Sequence, residues 1–260
     1  MSFDPTPAAR ALHEVRSTKA IVRPLSAGIA PTDEEQGAAV QYKRAEMVGA
    51  VPPAGFKIGA TGRRMQEYLG LSGAAAGFME ERNIHIGVAS LRFDAFQKPG
   101  VECEVAVRLG RDLPVGRCTP AMALESAEAF TAGIELVDNR YGDLVELGTP
   151  TLIADQVFHC AAIVGTQGNI DWRELPLTDL RGRISIDGVL RDQGTTGDLM
   201  GDPMNCLAWL ANSSVAAAFG GLKAGQVVML GSVTPPIWLD RPASVTVEFA
   251  TLPAVRLELR

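Results

Sequence analysis

No apolar run in this chain of 260 residues reaches the roughly 18 residues of a membrane-spanning helix, so no helical span is expected. Positive charge is in short supply. The 24 Lys and Arg stand against 30 Asp and Glu, and the net charge of −6 with a pI near 5.2 argues against nucleic-acid or anionic-membrane binding. Histidine is limited to three residues, and the four cysteines (Cys103, Cys118, Cys160, Cys206) show no C-x-x-C spacing. A Cys/His zinc site and a disulfide scaffold are both disfavoured, and free thiols in a reducing cytoplasm are expected. His159 and Cys160 are neighbours, which puts their side chains on opposite faces of a strand. The opening MSFDPTPAARALHEVR lacks the apolar core of a secretory signal; its two arginines and few acids faintly suggest a transit peptide, but it reads better as a first helix. Internal repeats and low-complexity tracts are absent. What remains, 47% hydrophobic and 21% charged, is an ordinary soluble composition with enough chain for a substantial core and one or two domains.

The leading section is helical. Ala8, Ala9, Leu12 and Val15 make an apolar stripe over residues 6–18, with Arg10, Glu14 and Arg16 outside it. After a loop punctuated by Pro24, Gly28 and Pro31, Thr32 to Glu35 has the form of a capping box for a helix running to about Met47. Val51-Pro52-Pro53 then separates an N-terminal helical arm, residues 1–50, from a catalytic β-rich domain, residues 51–260. In that body, Ala54 to Thr61 reads as a short strand and Arg63 to Leu69 as a helix stopped by Gly70. Residues 73–83 read as a flexible connection carrying Glu80, Glu81 and Arg82. Ile84–Phe93 and Val101–Leu109 are strands, and Pro120–Phe130 is a helix capped by Thr119. Thr151 to Val164 forms an element containing Asp155. Arg183–Val189 ends in an Asp187-Gly188 hairpin signal, and a helix over 203–219 interrupts four further short strands. The class expected is α+β, with a mixed β-roll or sandwich core.

Within Val101–Leu109, Glu102, Glu104 and Ala106 share one face, and Val101, Cys103, Val105 and Val107 share the other. Two like charges side by side repel, and burial adds a loss of hydration. A hard divalent cation makes that arrangement favourable; an exposed sheet face, where acids and apolar residues alternate, is the plainer explanation. Glu135, set among Ile134, Leu136 and Val137, is a third carboxylate in an apolar setting. Three carboxylates leaving room for water and substrate is a common way to hold Mg²⁺ or Mn²⁺. Lys57, flanked by apolar residues with Gly55 and Gly59 two positions either side, fits a place of close backbone approach, or else a strand-end lysine reaching solvent.

Segments in order along the chain resemble the fumarylacetoacetate hydrolase superfamily, in its 2-keto-4-pentenoate hydratase and 4-oxalocrotonate decarboxylase branch. They are GFKIG (55–59), VECEVAVRLGRDLP (101–114), GIELVDNR (133–140), ADQ (154–156), GDPMNCLAWLAN (201–212) and LKAGQVVMLGSVTPPI (222–237). The resemblance implies that superfamily's fold, with Glu102, Glu104 and Glu135 as ligands to Mg²⁺ or Mn²⁺. It places Lys57, Arg140 and Asp155 in or near the substrate site. Gly231, Ser232 and Thr234 match the loop around the α-keto-acid end of the substrate.

The activity implied is hydration of a 2-hydroxy-2,4-dienoate in meta-cleavage degradation of aromatic compounds. The 2-oxo-3-enoate tautomer takes up water to give a 4-hydroxy-2-oxo acid, with the cation and Lys57 stabilising an enolate. Decarboxylation of a 4-oxalocrotonate-type acid uses the same stabilisation, and a non-catalytic partner subunit is a third role for this fold. A C–C bond hydrolase ranks lowest, because His85 lacks the context of that group's His–Glu pair. Homo-oligomers, and association with a sister pathway enzyme, are also implied. The chain departs from the branch near the chemistry. An acid position falls on Arg82, Asp-Asn-Ala-Ser becomes Asp155-Gln156-Val157-Phe158, and Gly-His-Pro becomes Gly201-Asp202-Pro203. Lys57, Glu81 and Asp155 are the proton-transfer candidates carried forward, with His159 and Asp202 as substitutes for family groups missing here.

Overall fold

The computed structural model describes residues 3–69, 71, 73–169 and 171–260. Helix α1 (Thr6–Thr18) buries Ala8, Ala9 and Leu12 along the expected stripe, and α2 (Glu34–Met47) follows. The cap of α2 sits one residue later than expected. Asp33 accepts the Gln36 N–H at 2.8 Å, while the Thr32 N–H donates to the Gln36 side chain at 3.0 Å. After β1 (Gly55–Gly59) and α3 (Arg63–Leu69) comes β2 (Ala75–Met79). Gly70, the expected stop of α3, lies outside the described residues.

Strand β2 replaces the flexible connection expected over 73–83. Its Ala and Gly residues have little strand propensity, yet all five are buried and pair antiparallel with β1, from Gly55 opposite Met79 to Gly59 opposite Ala75. Strands β3 (Ile84–Ile86) and β4 (Val88–Leu91) divide the single strand expected there. The break is Gly87, at φ +71°, where the chain leaves one sheet for the other. Strand β5 (Pro99–Leu109) precedes α4 (Pro120–Ser126), whose Thr119 cap is as expected. That helix stops at Ser126 rather than Phe130, because residues from Ala127 onward belong to β6 (Ala127–Asp138), where Phe130 lies opposite Val107.

The element expected over 151–164 resolves into helix, turn and strand. Helices α5 (Leu144–Leu147) and α6 (Thr149–Ala154) precede β7 (His159–Val164). Strands β8 (Arg181–Ile186) and β9 (Val189–Thr195) form the expected hairpin, with Asp187 and Gly188 both at positive φ. The helix expected over 203–219 is two, α7 (Pro203–Ala211) and α8 (Ser214–Ala218). Between them Asn212 turns its amide to the Cys118 backbone, and Ser213 caps anew by accepting from Ala216 N. Strands β10 (Val227–Ser232), β11 (Ile237–Trp238), β12 (Ala243–Phe249) and β13 (Leu252–Leu259) complete the chain.

The larger sheet runs β2-β1-β10-β5-β6-β7-β3, with β11 also paired to β5; the smaller runs β4-β13-β12-β8-β9. Both are mixed, since β1/β10, β3/β7 and β4/β13 are parallel and the other pairs antiparallel. The smaller sheet covers the Cys103 face of β5. A Cβ on Gly182 of β8 would stand 3.0 Å from Cys103 Sγ and closer still to the Phe249 ring. The opposite face of the larger sheet is concave. A small apolar cluster of Met79, Ala106, Ala162, Val164 and Met229 fills its floor. Gly133 leaves room there for the Met229 side chain, whose Cε would stand 2.8 Å from a Cβ at that position. Among the described residues no helix is long and apolar enough to cross a membrane. The architecture is α+β, as expected.

Candidate metal centre and active site

The concave face carries the acids. Glu102 and Glu104 follow Ala106 along β5 on that side, and Glu102 lies directly opposite Glu135 in the β5/β6 register. Each of Glu102, Glu104 and Glu135 offers a carboxylate oxygen, and the three oxygens lie within 4.8 Å of one another. Glu104 and Glu135 are buried, and Glu102 is half-buried at the cleft. The exposed-face explanation of the alternation therefore fails.

Lys57 joins them from β1. In a flat sheet three strand spacings would hold β1 and β6 about 14 Å apart. The sheet curls, and Lys57 Nζ lies 3.3 Å from Glu135 Oε1, with the lysine side chain buried. His159, at the start of β7, closes the group from the other side, its Nδ1 2.8 Å from the same oxygen. Glu135 Oε1 thus receives two donors, while the equally buried Oε2 has no partner among the described residues. Glu104 Oε2 accepts the Gly231 N–H at 3.1 Å. At Gly231, φ is +108° and a Cβ would strike Thr61 at 2.6 Å, so only glycine brings this N–H to the carboxylate.

The electrostatics are those of a site short of positive charge. Burial and the neighbouring Glu135 push the Glu102 carboxyl up to about 8. Burial, Glu135 and Glu102 raise Glu104 well above the usual carboxylate range. Glu135 is also raised by burial, but Lys57 and His159 outweigh that and hold it below its ordinary value. Burial holds His159 below the ordinary imidazole range, so the neutral ring donates Nδ1–H to Glu135, and its buried Nε2 has no partner among the described residues. A buried orphan carboxylate oxygen and two carboxyls burdened with protons fit a hard divalent cation such as Mg²⁺ or Mn²⁺, whose ligands are oxygens.

Two adjoining hollows meet at Glu102. Lys57, Gly59, Ala60, Met65, Val137, Asn139, Val157, Phe158, Pro236 and Trp238 line one of them. The other continues past Glu104 to Ser232, Thr234 and Asp198. Thr234 Oγ1 is buried there with no partner among the described residues, whereas the Ser232 hydroxyl is shared between the carbonyls of Thr234 (2.6 Å) and Cys103 (3.2 Å).

The remaining expected site residues stand elsewhere. Asp155, at the C-terminus of α6, is fully buried and bonded to Arg16 Nε (2.7 Å), Arg140 Nη2 (2.7 Å) and the Tyr141 hydroxyl (2.8 Å). Burial raises its carboxyl, but Arg16 and Arg140 overcome that and hold it below 3.8, so it is an ionised anchor and does not line either hollow. Arg140 turns to Asp155 and Asp138 behind the pocket wall. Glu81 is exposed on a turn beside Val48–Ala54 and Lys223–Gln226, away from the acids; the buried carboxylate of that segment is Glu80, paired with Arg44 and Arg82. Asp202 caps α7 by accepting the Met204 N–H at 2.7 Å.

Arg16 is the residue that sequence reasoning missed. It also donates to the carbonyls of Asp155 (2.7 Å) and His159 (3.2 Å), straddling Gln156, Val157 and Phe158, which all have positive φ. Its only signal in the sequence is a charge at the edge of the apolar stripe of α1.

The family model described as "Fumarylacetoacetate (FAA) hydrolase C-terminal" matches residues 58–260. The chain is 26% identical to 2-keto-4-pentenoate hydratase of Paraburkholderia phymatum, over 94% of this chain and 93% of that one. It is 30% identical to 2-hydroxyhexa-2,4-dienoate hydratase of Comamonas testosteroni, over 70% of this chain and 68% of that one. Among solved structures, 4-oxalocrotonate decarboxylase from Pseudomonas putida G7, complexed with magnesium and adipate, superposes with a TM-score of 0.87 at 19% identity, covering 98% of this chain and 97% of that one.

Proposed function

Because this chain belongs to the fumarylacetoacetate hydrolase family, we propose that it is a divalent-metal-dependent hydratase of a 2-hydroxy-2,4-dienoate. The observation that carries the reading is the convergence of Glu102, Glu104 and Glu135 on one point with the Lys57 ammonium beside them. Those three acids would hold Mg²⁺ or Mn²⁺, which when bound would supply Lewis-acid stabilisation of negative charge on the α-keto-acid end of the substrate.

The chain's own groups do the rest. Thr234 offers its free hydroxyl, and Gly231 and Ser232 shape the loop, where the substrate carboxylate enters. Lys57 and Glu102 are the ionisable side chains among the described residues lining the first hollow. The Lys57 ammonium stands where an enolate oxygen develops and stabilises it. The dienol gives up its 2-hydroxyl proton and takes one at C5, becoming the 2-oxo-3-enoate. Water then adds its oxygen to C4 and a proton goes to C3, giving the 4-hydroxy-2-oxo acid. His159 fixes Glu135 from behind, and Asp155 anchors the wall.

The test is spectrophotometric. Purified protein loaded with Mg²⁺ or Mn²⁺ is expected to bleach the ultraviolet band of 2-hydroxypenta-2,4-dienoate, and chelation to abolish the bleaching. A metal-loaded protein inert towards every dienoate offered would overturn the proposal.

A further inference from the structure

We infer that the distal tail of the substrate is uncharged, and that the wall formed by Val157, Phe158 and Trp238 rejects substrates with a second carboxylate. This rests on the hydratase reading and adds to it a choice among substrate classes. The hollow beyond Lys57 and Glu102 is walled by Met65, Val137, Val157, Phe158, Pro236 and Trp238. Asn139 is the uncharged polar side chain there, and its Oδ1 already accepts the Tyr141 N–H at 3.2 Å.

Among the described residues that line this hollow, the only cation is Lys57, already paired with Glu135 at 3.3 Å. Arg140 is turned away to Asp155, and Lys98 lies 5.6 Å over the Trp238 ring in a separate hollow. A carboxylate on the tail would therefore lose its water without gaining a counter-charge, and would face Glu102 as well. An alkyl tail loses nothing by the same transfer and gains apolar contact.

The wall is stiff enough to enforce the choice. Phe158 is held edge-on against Tyr141 at 4.6 Å between ring centroids, and its far side faces Trp238 at 6.4 Å. Trp238 in turn lies over Gly100, where a Cβ would stand 2.6 Å from the indole ring. The backbone of Gln156, Val157 and Phe158 is clamped at both ends by Arg16.

The experiment compares kcat/KM of the metal-loaded enzyme on 2-hydroxypenta-2,4-dienoate, 2-hydroxyhexa-2,4-dienoate and the dicarboxylate 2-hydroxyhexa-2,4-dienedioate. The two monocarboxylates are expected to lie within roughly tenfold of each other, and the dicarboxylate at least about a hundredfold below them. A dicarboxylate used within a few fold of the monocarboxylates overturns the inference while leaving the hydratase reading intact. If none is turned over, the hydratase reading fails, and the tail preference is still read by calorimetric binding of 2-oxohexanoate against 2-oxoadipate to the metal-loaded protein. Tighter binding of 2-oxohexanoate by tenfold or more supports the inference, and equal or reversed affinities overturn it. Phe158→Leu, which keeps the wall apolar, is expected to preserve the discrimination.

Discussion

At Glu135 the two carboxylate oxygens have opposite circumstances, one holding Lys57 and His159 and the other holding nothing. That asymmetry separates the roles of the residues around it. Lys57 touches the acid but is not a ligand, so Lys57→Met is expected to retain Mg²⁺ or Mn²⁺ in a binding titration while kcat falls by roughly 10²- to 10⁴-fold. Glu135→Gln removes a ligand charge and is expected to lose both metal and activity together. The pH dependence of metal binding follows from the same group of acids. Without a cation, burial and the neighbouring acids push Glu102 up to about 8 and raise Glu104 well above the usual carboxylate range, so protons near neutrality compete with a metal for these carboxylates. Apparent Mg²⁺ affinity should therefore climb as pH rises from about 6 to about 9, with proton release measurable by calorimetry in buffers of different ionisation enthalpy. An affinity flat across that range would mean that the acids are already ionised in the metal-free protein.

At the level of elements, the segment after α6 links the helical arm to the chemistry. Gln156, Val157 and Phe158 run in the left-handed region, which costs each non-glycine residue on the order of 1 kcal/mol or more. Arg16 from α1 holds the flanking carbonyls, while Arg44 from α2 bonds the Gln156 side chain, whose amide also donates to the Phe78 carbonyl. Arg16→Met leaves the buried Asp155 with Arg140 and Tyr141 alone. It is expected to lower stability by about 3 kcal/mol in urea denaturation, and to relax the wall that Val157 and Phe158 present. This arrangement also shows what the sequence could and could not disclose. Glu102 and Glu104 stood out because alternation in a strand is a local rule that they obey without knowing their neighbours, but alternation alone left an exposed face as the plainer explanation, and the shared ligand role of all three acids came from the family resemblance. The Arg16–Asp155 pair spans 139 positions, and no periodicity encodes it. Strand β2 was hidden for a related reason: Ala75 to Met79 form a strand only because β1 lies beside them. Glu80 and Glu81 are adjacent and chemically identical, so only the fold decides which of them is buried.

For the molecule as a whole, the proline boundary near residue 51 suggests an arm and a body, but the bonding pattern ties them together. Gln41 of α2 is wholly buried, donates to the carbonyls of Ala76 and Ile153, and accepts the Phe78 N–H at 2.9 Å. It therefore bridges β2 and α6. Arg16 and Arg44 add charged bonds to Asp155 and Glu80, both buried in the body. Removing residues 1–50 would strip Arg16 from Asp155 and Arg44 from Glu80, and would leave the carbonyls of Ala76 and Ile153 and the Phe78 N–H without Gln41, a cost of several kcal/mol against a total stability of about 5–15 kcal/mol. The whole chain is accordingly expected to unfold in one transition, and a fragment of residues 51–260 to lack the near-ultraviolet circular dichroism of a packed core. Acid should reveal the same coupling. Asp155 has its carboxyl depressed in the folded state, so its contribution is present above the unfolded value near 3.8 and is lost as pH falls through the lower folded value. Arg16→Met weakens that depression and should move the acid-unfolding midpoint upward, with arm and body still melting together. Two separate transitions in the wild-type chain, or a fragment with native near-ultraviolet dichroism, would show instead that the arm is an independent unit resting on a self-sufficient body.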